Sequence, residues 1–337
     1  MDKRDLRIIF MGTPEFAVET LKALVENEYN VVAVVTQPDK PVGRHQDHLQ
    51  PSAVKVYALE HQLPVLQPVK MKDPDFLQQL KSFNADLQVV VAFRMLPEVV
   101  WAMPPMGTFN VHAALLPQYR GAAPINWAVI NGEHETGVTT FFLDHDIDTG
   151  KIILQKSFAI PDTADVEYVY DGLMHLGASA AMETIDLVLR YGRDVPAVSQ
   201  ADVLDEMARR KGCNVDEIVL HPAPKIFKDT CAIQWNLPAC KVRNFIRGLS
   251  PYPGAWTVIR VNEKESVMKI FKATLSGEPL KEGECTGDIR VSNGKLSVAC
   301  ADEWLFIDML QPAGKKRMEA KVYLNGARGL EKARVTV

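Results

Sequence analysis

The sequence predicts an α/β fold with a mostly parallel sheet, joined to a smaller C-terminal domain of short strands. Three observations carry this. Residues 6–11 (LRIIFM) and 30–36 (NVVAVVT) are continuous apolar runs, the pattern of strands buried on both faces. A helix-like stretch separates them, so strand, helix and strand fall within about 30 residues, the βαβ unit that makes neighbouring strands parallel. From residue 232 onward the pattern changes to short β runs divided by turn residues, which suits a small barrel. The length of 337 residues agrees, because about two domains are expected at roughly 100–200 residues each.

The elements follow in order. Gly12-Thr13-Pro14 turns the first strand into a helix over residues 15–26, with Pro14 in the first turn, where its missing N–H costs nothing. Only Gly12 stands at that turn. The GxGxxG spacing that a dinucleotide pyrophosphate needs is absent, which disfavours a nicotinamide oxidoreductase. Residues 37–51 (QPDKPVGRHQDHLQP) read as an exposed loop without periodicity. His45, Asp47 and His48 lie there with no third neutral ligand at useful spacing, so a solvated loop is expected rather than a metal site. Helices are predicted over 52–61 and 73–83, the latter capped by Asp73 with Pro74 first, and strands over 64–66 and 86–93. Then come a short helix over 125–130, strands over 137–143 and 151–158, and a long amphipathic helix over 165–191. His175 falls within that last helix and reads as structural. Residues 192–224 form a charged linker with a short helix over 203–210. Strands over 256–261, 267–275, 287–292, 295–300 and 304–310, interrupted by a helix over 238–249, complete the chain. The first region is Rossmann-like in layout.

Composition narrows the class. Apolar residues make up 47% and charged residues 24%, ordinary for a soluble protein with a sizeable core. No run approaches the ~18 apolar residues of a membrane span, and no signal-peptide core follows the first residues. The five cysteines are unevenly spaced, odd in number and without a CxxC pair, so reduced cytoplasmic thiols are expected rather than zinc or disulfides. Net charge is −4 but unevenly spread: residues 211–337 hold 20 Lys and Arg against 14 Asp and Glu, which leaves 18 against 28 before them. A basic C-terminal part suggests a polyanionic partner, although compositional drift between domains gives the same asymmetry.

Chemistry concentrates in residues 109–150. Asn110 and His112 alternate at the end of a strand, so their side chains share a face. Pro117 ends regular pairing, and the small residues after Arg120 let backbone approach a ligand closely. Beyond the next strand Asp144, Asp146 and Asp148 crowd a turn closed by Gly150, and spacing alone leaves all three open as partners of His112. An Asn amide donates well to an oxyanion, a His moves protons near neutral pH, and an Asp orients an imidazole and stabilises its charged form. No Ser or Cys nucleophile accompanies them.

Asn110-x-His112, the Leu115-Leu116-Pro117 turn, Arg120-Gly121 and Asp148-Thr149-Gly150 resemble the signature of the folate-dependent formyltransferases. Phe10-Met11-Gly12-Thr13-Pro14-Glu15-Phe16-Ala17, Thr36-Gln37-Pro38-Asp39-Lys40-Pro41, Ile246-Arg247-Gly248-Leu249-Ser250-Pro251-Tyr252-Pro253-Gly254-Ala255-Trp256 and Leu310-Gln311-Pro312-Ala313-Gly314-Lys315-Lys316-Arg317-Met318 are similar to the branch of that family that acts on charged tRNA. The resemblance implies a formyltransferase fold over 1–205, a linker over 206–224 and an OB-like tRNA-binding domain over 225–337. It implies transfer of formyl from 10-formyltetrahydrofolate, the donor substrate, to the α-amine of methionine on initiator methionyl-tRNA, for translation initiation, without a metal. It selects Asp148 among the acidic residues, giving Asn110, His112 and Asp148 as the catalytic set. Ala114, Leu115, Leu116, Pro117, Arg94, Met95 and Leu96 are expected to hold the folate, largely by backbone groups. Ala114 departs from the Ser usual there. Arg44, Arg247, Lys315, Lys316 and Arg317 are expected to meet tRNA; Gly43-Arg44 is kept, but His45, Gln46, Asp47 and His48 replace the usual glycine and basic residues, so weaker phosphate contact is expected. A monomer without membrane partners is expected. Two other readings share parts of the pattern: a formyltransferase for a nucleotide sugar or ribonucleotide amine, and a non-catalytic RNA-binding descendant.

Overall fold

The computed structural model describes residues 2–42, 48–330 and 333–336. The chain divides into two compact units. The first comprises Met1–Gly121, Glu135–Ala159 and Tyr170–Pro222, and the second Ala122–His134, Ile160–Val169 and Ala223–Val337.

The first unit begins β1 (Ile8–Gly12), α1 (Glu15–Glu26), β2 (Val31–Val35), β3 (Lys40–Val42), β4 (His48–Gln50), α2 (Ala53–Glu60) and β5 (Val65–Leu66). It continues with α3 (Pro74–Ser82), β6 (Leu87–Val91), α4 (Glu98–Trp101) and β7 (Thr108–His112). After α5 (Pro124–Ile130), which belongs to the second unit, come β8 (Glu135–Phe142), β9 (Ile152–Ala159), α6 (Val166–Tyr191) and α7 (Gln200–Lys211). Seven strands form one sheet in the order β5-β2-β1-β6-β7-β8-β9. The first five are parallel, and β8 and β9 run antiparallel at one edge. Successive connections move outward from β1 through β2 to β5, then cross back to β6. The carboxyl ends of β1 and β6 therefore form the switch point at which such sheets bind ligands.

Alternation along the strands builds two apolar layers. Ile9, Met11, Val35 and Val90 meet Phe76 and Leu80 of α3 and Val100 of α4 on one face. On the other, α1 and α6 pack together through an edge-to-face pair of Phe16 and Tyr170, 5.2 Å between ring centres. The expected cap on α3 is present: the Asp73 carboxylate accepts from the N–H groups of Asp75 (3.0 Å) and Phe76 (3.2 Å). Asp73→Ala is expected to lower stability by about 1 kcal/mol, read from the midpoint of denaturant unfolding.

Two expectations change. The loop over 37–51 contains a hairpin, with Lys40, Pro41 and Val42 paired to Gln50, Leu49 and His48. Backbone pairing needs no apolar alternation in an exposed ribbon, so periodicity did not reveal it. Its base is anchored at Asp39, whose carboxylate takes hydrogen bonds from Lys55 Nζ (2.6 Å) and Gln67 Nε2 (2.8 Å). The Lys55 bond foremost holds that carboxyl below its usual range. Gly43, Arg44, His45, Gln46 and Asp47 lie outside the described residues. His175 sits on the exposed side of α6 and faces Glu19 at 3.2 Å. The helix expected over 203–210 begins earlier, because Ser199 supplies the cap for α7 by accepting from Asp202 N.

The second unit adds α8 (Ala239–Gly248), β10 (Ala255–Val261), β11 (Lys264–Pro279), β12 (Ile289–Ser292), β13 (Lys295–Ala299), β14 (Glu303–Pro312), β15 (Met318–Glu319), α9 (Ala320–Gly326) and β16 (Arg334–Thr336). Its antiparallel sheet runs β12-β13-β14-β11-β10-β16. The sheet curls until its ends meet: Val335 N donates to Gly287 O at 2.8 Å, and Asp288 bridges Arg334 just ahead of β12. The result is the OB-like half-barrel expected, with α8 closing its core through Val242 and Ile246 against Ile270, Leu305 and Leu310. β11 is longer than the run 267–275 suggests, since both its ends are polar and exposed. α9 and β16 carried no sequence signal. Among the described residues no helix is long and apolar enough to cross a membrane.

Candidate active site

β7 (TFNVH) places the polar pair. Phe109 and Val111 face α6, where a Cβ on Gly177 would touch Val111. Asn110 pairs with Val90 in β6, so Asn110 and His112 project to the face of α3 and α4, at the carboxyl edge of the sheet. Polar residues break an otherwise apolar strand at this edge. The Asn110 side-chain amide has no hydrogen-bond partner among the described residues.

His112 is 6% exposed. Its Nε2 lies 2.9 Å from the carbonyl oxygen of Tyr119. A carbonyl can only accept, so Nε2 carries the proton and Nδ1 is the nitrogen free for chemistry. Nδ1 faces Asp148 Oδ2 at 3.9 Å, beyond direct hydrogen-bond reach. Asp148 sits in left-handed backbone at φ +55° and its Oδ2 accepts from Gly121 N at 3.0 Å. Asp144 and Asp146, the competing carboxylates, are more open to solvent. The structure thus brings His112 and Asp148 together across 36 residues of sequence, with Asn110 two residues from the imidazole on the same face.

The remaining expected residues divide. Arg94, Met95 and Leu96 follow β6 at the same carboxyl edge as His112. Leu96 is packed into the core beside Val100, whereas Met95 is 72% exposed. Arg94 is turned to the carbonyls of Pro68 and Val69, the latter at 3.0 Å, and burial pulls its guanidinium below its ordinary range. Ala114, Leu115, Leu116 and Pro117 lie directly after β7, but much of their backbone is already engaged. Thr139 Oγ1 donates to Ala114 O (2.6 Å) and accepts from Leu116 N (3.0 Å), and Gln155 Nε2 donates to Leu116 O (2.8 Å). Leu116 N is therefore committed within the protein, while each of the two carbonyl oxygens keeps a second lone pair.

Arg247 departs from expectation. It is 8% exposed, with Nη1 on Ala164 O and Nε on Asn244 Oδ1, both at 2.8 Å. Burial first, and Arg243 second, lower its affinity for a proton. A guanidinium so enclosed cannot meet phosphate. Lys315, Lys316 and Arg317 are exposed in the turn between β14 and β15, with Arg317 stacked 4.3 Å over Phe271. Arg44 lies outside the described residues. A cavity of about 370 Å³ lined by Trp101, Thr108, Phe142 and Arg193 opens at the far end of β7. Four residues of strand, roughly 13 Å, separate Thr108 from His112, so this cavity is not the site.

Sequence reasoning missed Gln200. It is 5% exposed and donates to the backbone oxygens of Asp148 (2.7 Å) and Gly150 (3.0 Å) while accepting from Arg120. The one available signal was Ser199 followed by Asp202, a helix start that would have placed Gln200 at an ordered first turn.

Residues 6–185 match the family model described as Formyl transferase, and residues 225–328 match Formyl transferase, C-terminal domain. The methionyl-tRNA formyltransferase of Parabacteroides distasonis is 56% identical over 328 residues, 97% of either chain. The chain belongs to the methionyl-tRNA formyltransferase family. A second member, from Bacteroides fragilis, is 54% identical over 97% of this chain and 96% of its own. Among solved structures, the N-formyltransferase from Helicobacter canadensis with folinic acid and dTDP-3-aminofucose superposes with a TM-score of 0.60 at 18% identity, covering 93% of this chain and 100% of that one. HypX from Aquifex aeolicus with tetrahydrofolic acid gives 0.57 at 17% identity, covering 95% of this chain and 47% of that one. At such identities these two show the formyltransferase fold alone.

Proposed function

We propose that this member of the formyltransferase family transfers the formyl group of 10-formyltetrahydrofolate to the α-amine of methionine on initiator methionyl-tRNA. The observation that carries the reading is 56% identity, end to end, to a methionyl-tRNA formyltransferase. The site chemistry supports it. The amine attacks the formyl carbon and negative charge gathers on the formyl oxygen; the adduct then collapses by breaking the bond to the donor nitrogen, which takes up the proton the amine gives up and leaves as tetrahydrofolate. The Asn110 amide, uncommitted among the described residues, donates to that oxygen, and a preorganised donor of this kind is worth about 10²–10³ in rate. His112 takes part as acid, base and second stabiliser through Nδ1, since Nε2 is held by Tyr119. Asp148 orients the imidazole, stabilises its charged form and serves as a base through an intervening water. No covalent intermediate and no metal are required.

Residues 1–205 act as the catalytic region, joined by 206–224 to a tRNA-binding region over 225–337, in a cytoplasmic monomer. Arg94, Met95 and Leu96 stand at the switch point where the folate would lie. Lys315 and Lys316 meet phosphate: replacing both with Gln is expected to weaken tRNA binding at every sequence and to reduce the salt slope by about one for each phosphate no longer neutralised. Binding measured across a salt series checks this.

The decisive experiment supplies 10-formyltetrahydrofolate with charged initiator tRNA, in parallel with a nucleotide-linked amino sugar. Formylation of methionine on tRNA sustains the reading. Turnover of the sugar alone overturns it.

A further inference from the structure

One buried amide ties together the two chain segments that set His112 and Asp148. The segment 119–121 supplies three restraints. Tyr119 O takes the proton of His112 Nε2 at 2.9 Å, Gly121 N donates to Asp148 Oδ2 at 3.0 Å, and the Arg120 guanidinium reaches Gln200 Oε1 with Nε at 3.0 Å. Arg120 Nη2 donates to the same oxygen. On its other side the amide donates to Asp148 O at 2.7 Å and to Gly150 O at 3.0 Å. A glutamine amide has two N–H groups and two acceptor lone pairs, and all four are in use.

The turn that Gln200 holds resists its own geometry. Asp148 occupies left-handed backbone, which an L side chain disfavours, and a Cβ at Gly150 would fall 1.7 Å from Phe142 O. Such a turn persists only where neighbours over-determine it. Gln200 is itself fixed, at the first position of α7 behind the Ser199 cap, and it is 5% exposed.

We infer that Gln200 is a positioning residue for formyl transfer. It locks the 148–150 turn to the 119–121 segment, so that the Asp148 carboxylate and His112 Nδ1 keep their 3.9 Å separation. The inference rests on the roles proposed above for His112 and Asp148. The residue type follows from the partners. Charge alone would favour Glu opposite Arg120, but a carboxylate has no N–H for two carbonyls and would set negative oxygen against both.

Gln200→Glu, Gln200→Ala, Asp148→Asn and the double variant Gln200→Ala with Asp148→Asn test it in the full-length protein. Both single changes at Gln200 are expected to lower kcat about 10–100-fold, the scale of displacing a reacting group by an ångström. KM for donor and tRNA should stay within about twofold, because the loss falls on the transition state. Gln200→Glu should be as damaging as Gln200→Ala although it keeps a partner for Arg120. If Gln200 acts through Asp148, the double variant is no slower than Asp148→Asn. Independent losses would instead multiply and overturn the inference. A second readout needs no turnover: exchange of the Gly121 amide proton, followed by NMR. It should quicken about tenfold or more in Gln200→Glu while Val298 of β13 exchanges as in wild type. Unchanged exchange at Gly121 overturns the inference whatever the acceptor substrate is. An inactive wild type with quickened Gly121 exchange would remove the tRNA reading and leave the positioning intact.

Discussion

His112→Ala is expected to lower kcat for formyl transfer by about 10²–10⁴-fold, the range of a positioned acid–base group. The change removes the ring nitrogen that exchanges a proton with the reacting amine, since Nε2 is committed to Tyr119 O. It also leaves the Asp148 carboxylate facing a void where a cationic imidazole would form. Substrate affinity should change little, because the imidazole is buried and the formyl oxygen bears no charge until the transition state. A His112→Gln variant sharpens the result. It restores a donor toward Tyr119 O but has no titrating nitrogen, so it should rescue stability and not rate. Single-turnover formylation of charged tRNA, with thermal unfolding alongside, separates the two. A residual rate within about threefold of wild type would remove His112 from the chemistry.

Trp235→Ala is expected to destabilise the second unit by about 3–5 kcal/mol, the usual cost of emptying a buried aromatic site. Trp235 is fully buried among Ile233, Val242, Ile246, Leu305 and their neighbours. Its indole N–H donates to Thr257 Oγ1 of β10 at 3.0 Å, so truncation opens a cavity and also strips a buried hydroxyl of a donor. Trp235→Phe fills most of the volume but still lacks the N–H, and should lose about 1–3 kcal/mol, the cost of an unsatisfied buried group. Denaturant unfolding followed by circular dichroism reads both. Equal losses for the two variants would mean that the hydrogen bond, not packing, dominates this site.

The parallel sheet was legible because burial on both faces demands uninterrupted apolar runs, and residues 8–11, 31–35 and 89–93 supply them. Asn110 and His112 were legible for the converse reason: two polar residues interrupt a strand that has no solvent face to excuse them. Asp148 was only half legible, since Asp144 and Asp146 have equal claims until the turn is folded and turns them toward solvent. Gln200 was invisible. Its partners are 50 to 80 positions away, and its bonds go to backbone oxygens and a guanidinium that leave no mark on neighbouring sequence. Arg247 misled because it is the one cation of its motif, yet Ile246, Gly248 and Leu249 around it are all apolar and signalled an inward face. The engaged backbone of Ala114 and Leu116 depends on Thr139 and Gln155 of two other strands, a relation that only register can reveal.

The division of the chain bears on how it comes to be folded during synthesis. Ala122–His134 and Ile160–Val169 leave the ribosome with the first half of the protein but belong to a unit whose other members are Ala223–Val337. Chains lengthen at about 5–20 residues per second and fold domain by domain from the amino end, so these two strips wait on the order of ten seconds for their partners. Ile130 of α5, which packs against the core of that unit, is among the side chains left without a home in that interval. A nascent chain arrested near residue 205 should therefore hold a nearly complete parallel sheet and still present a sticky helix to holdase chaperones. One that is released whole should not.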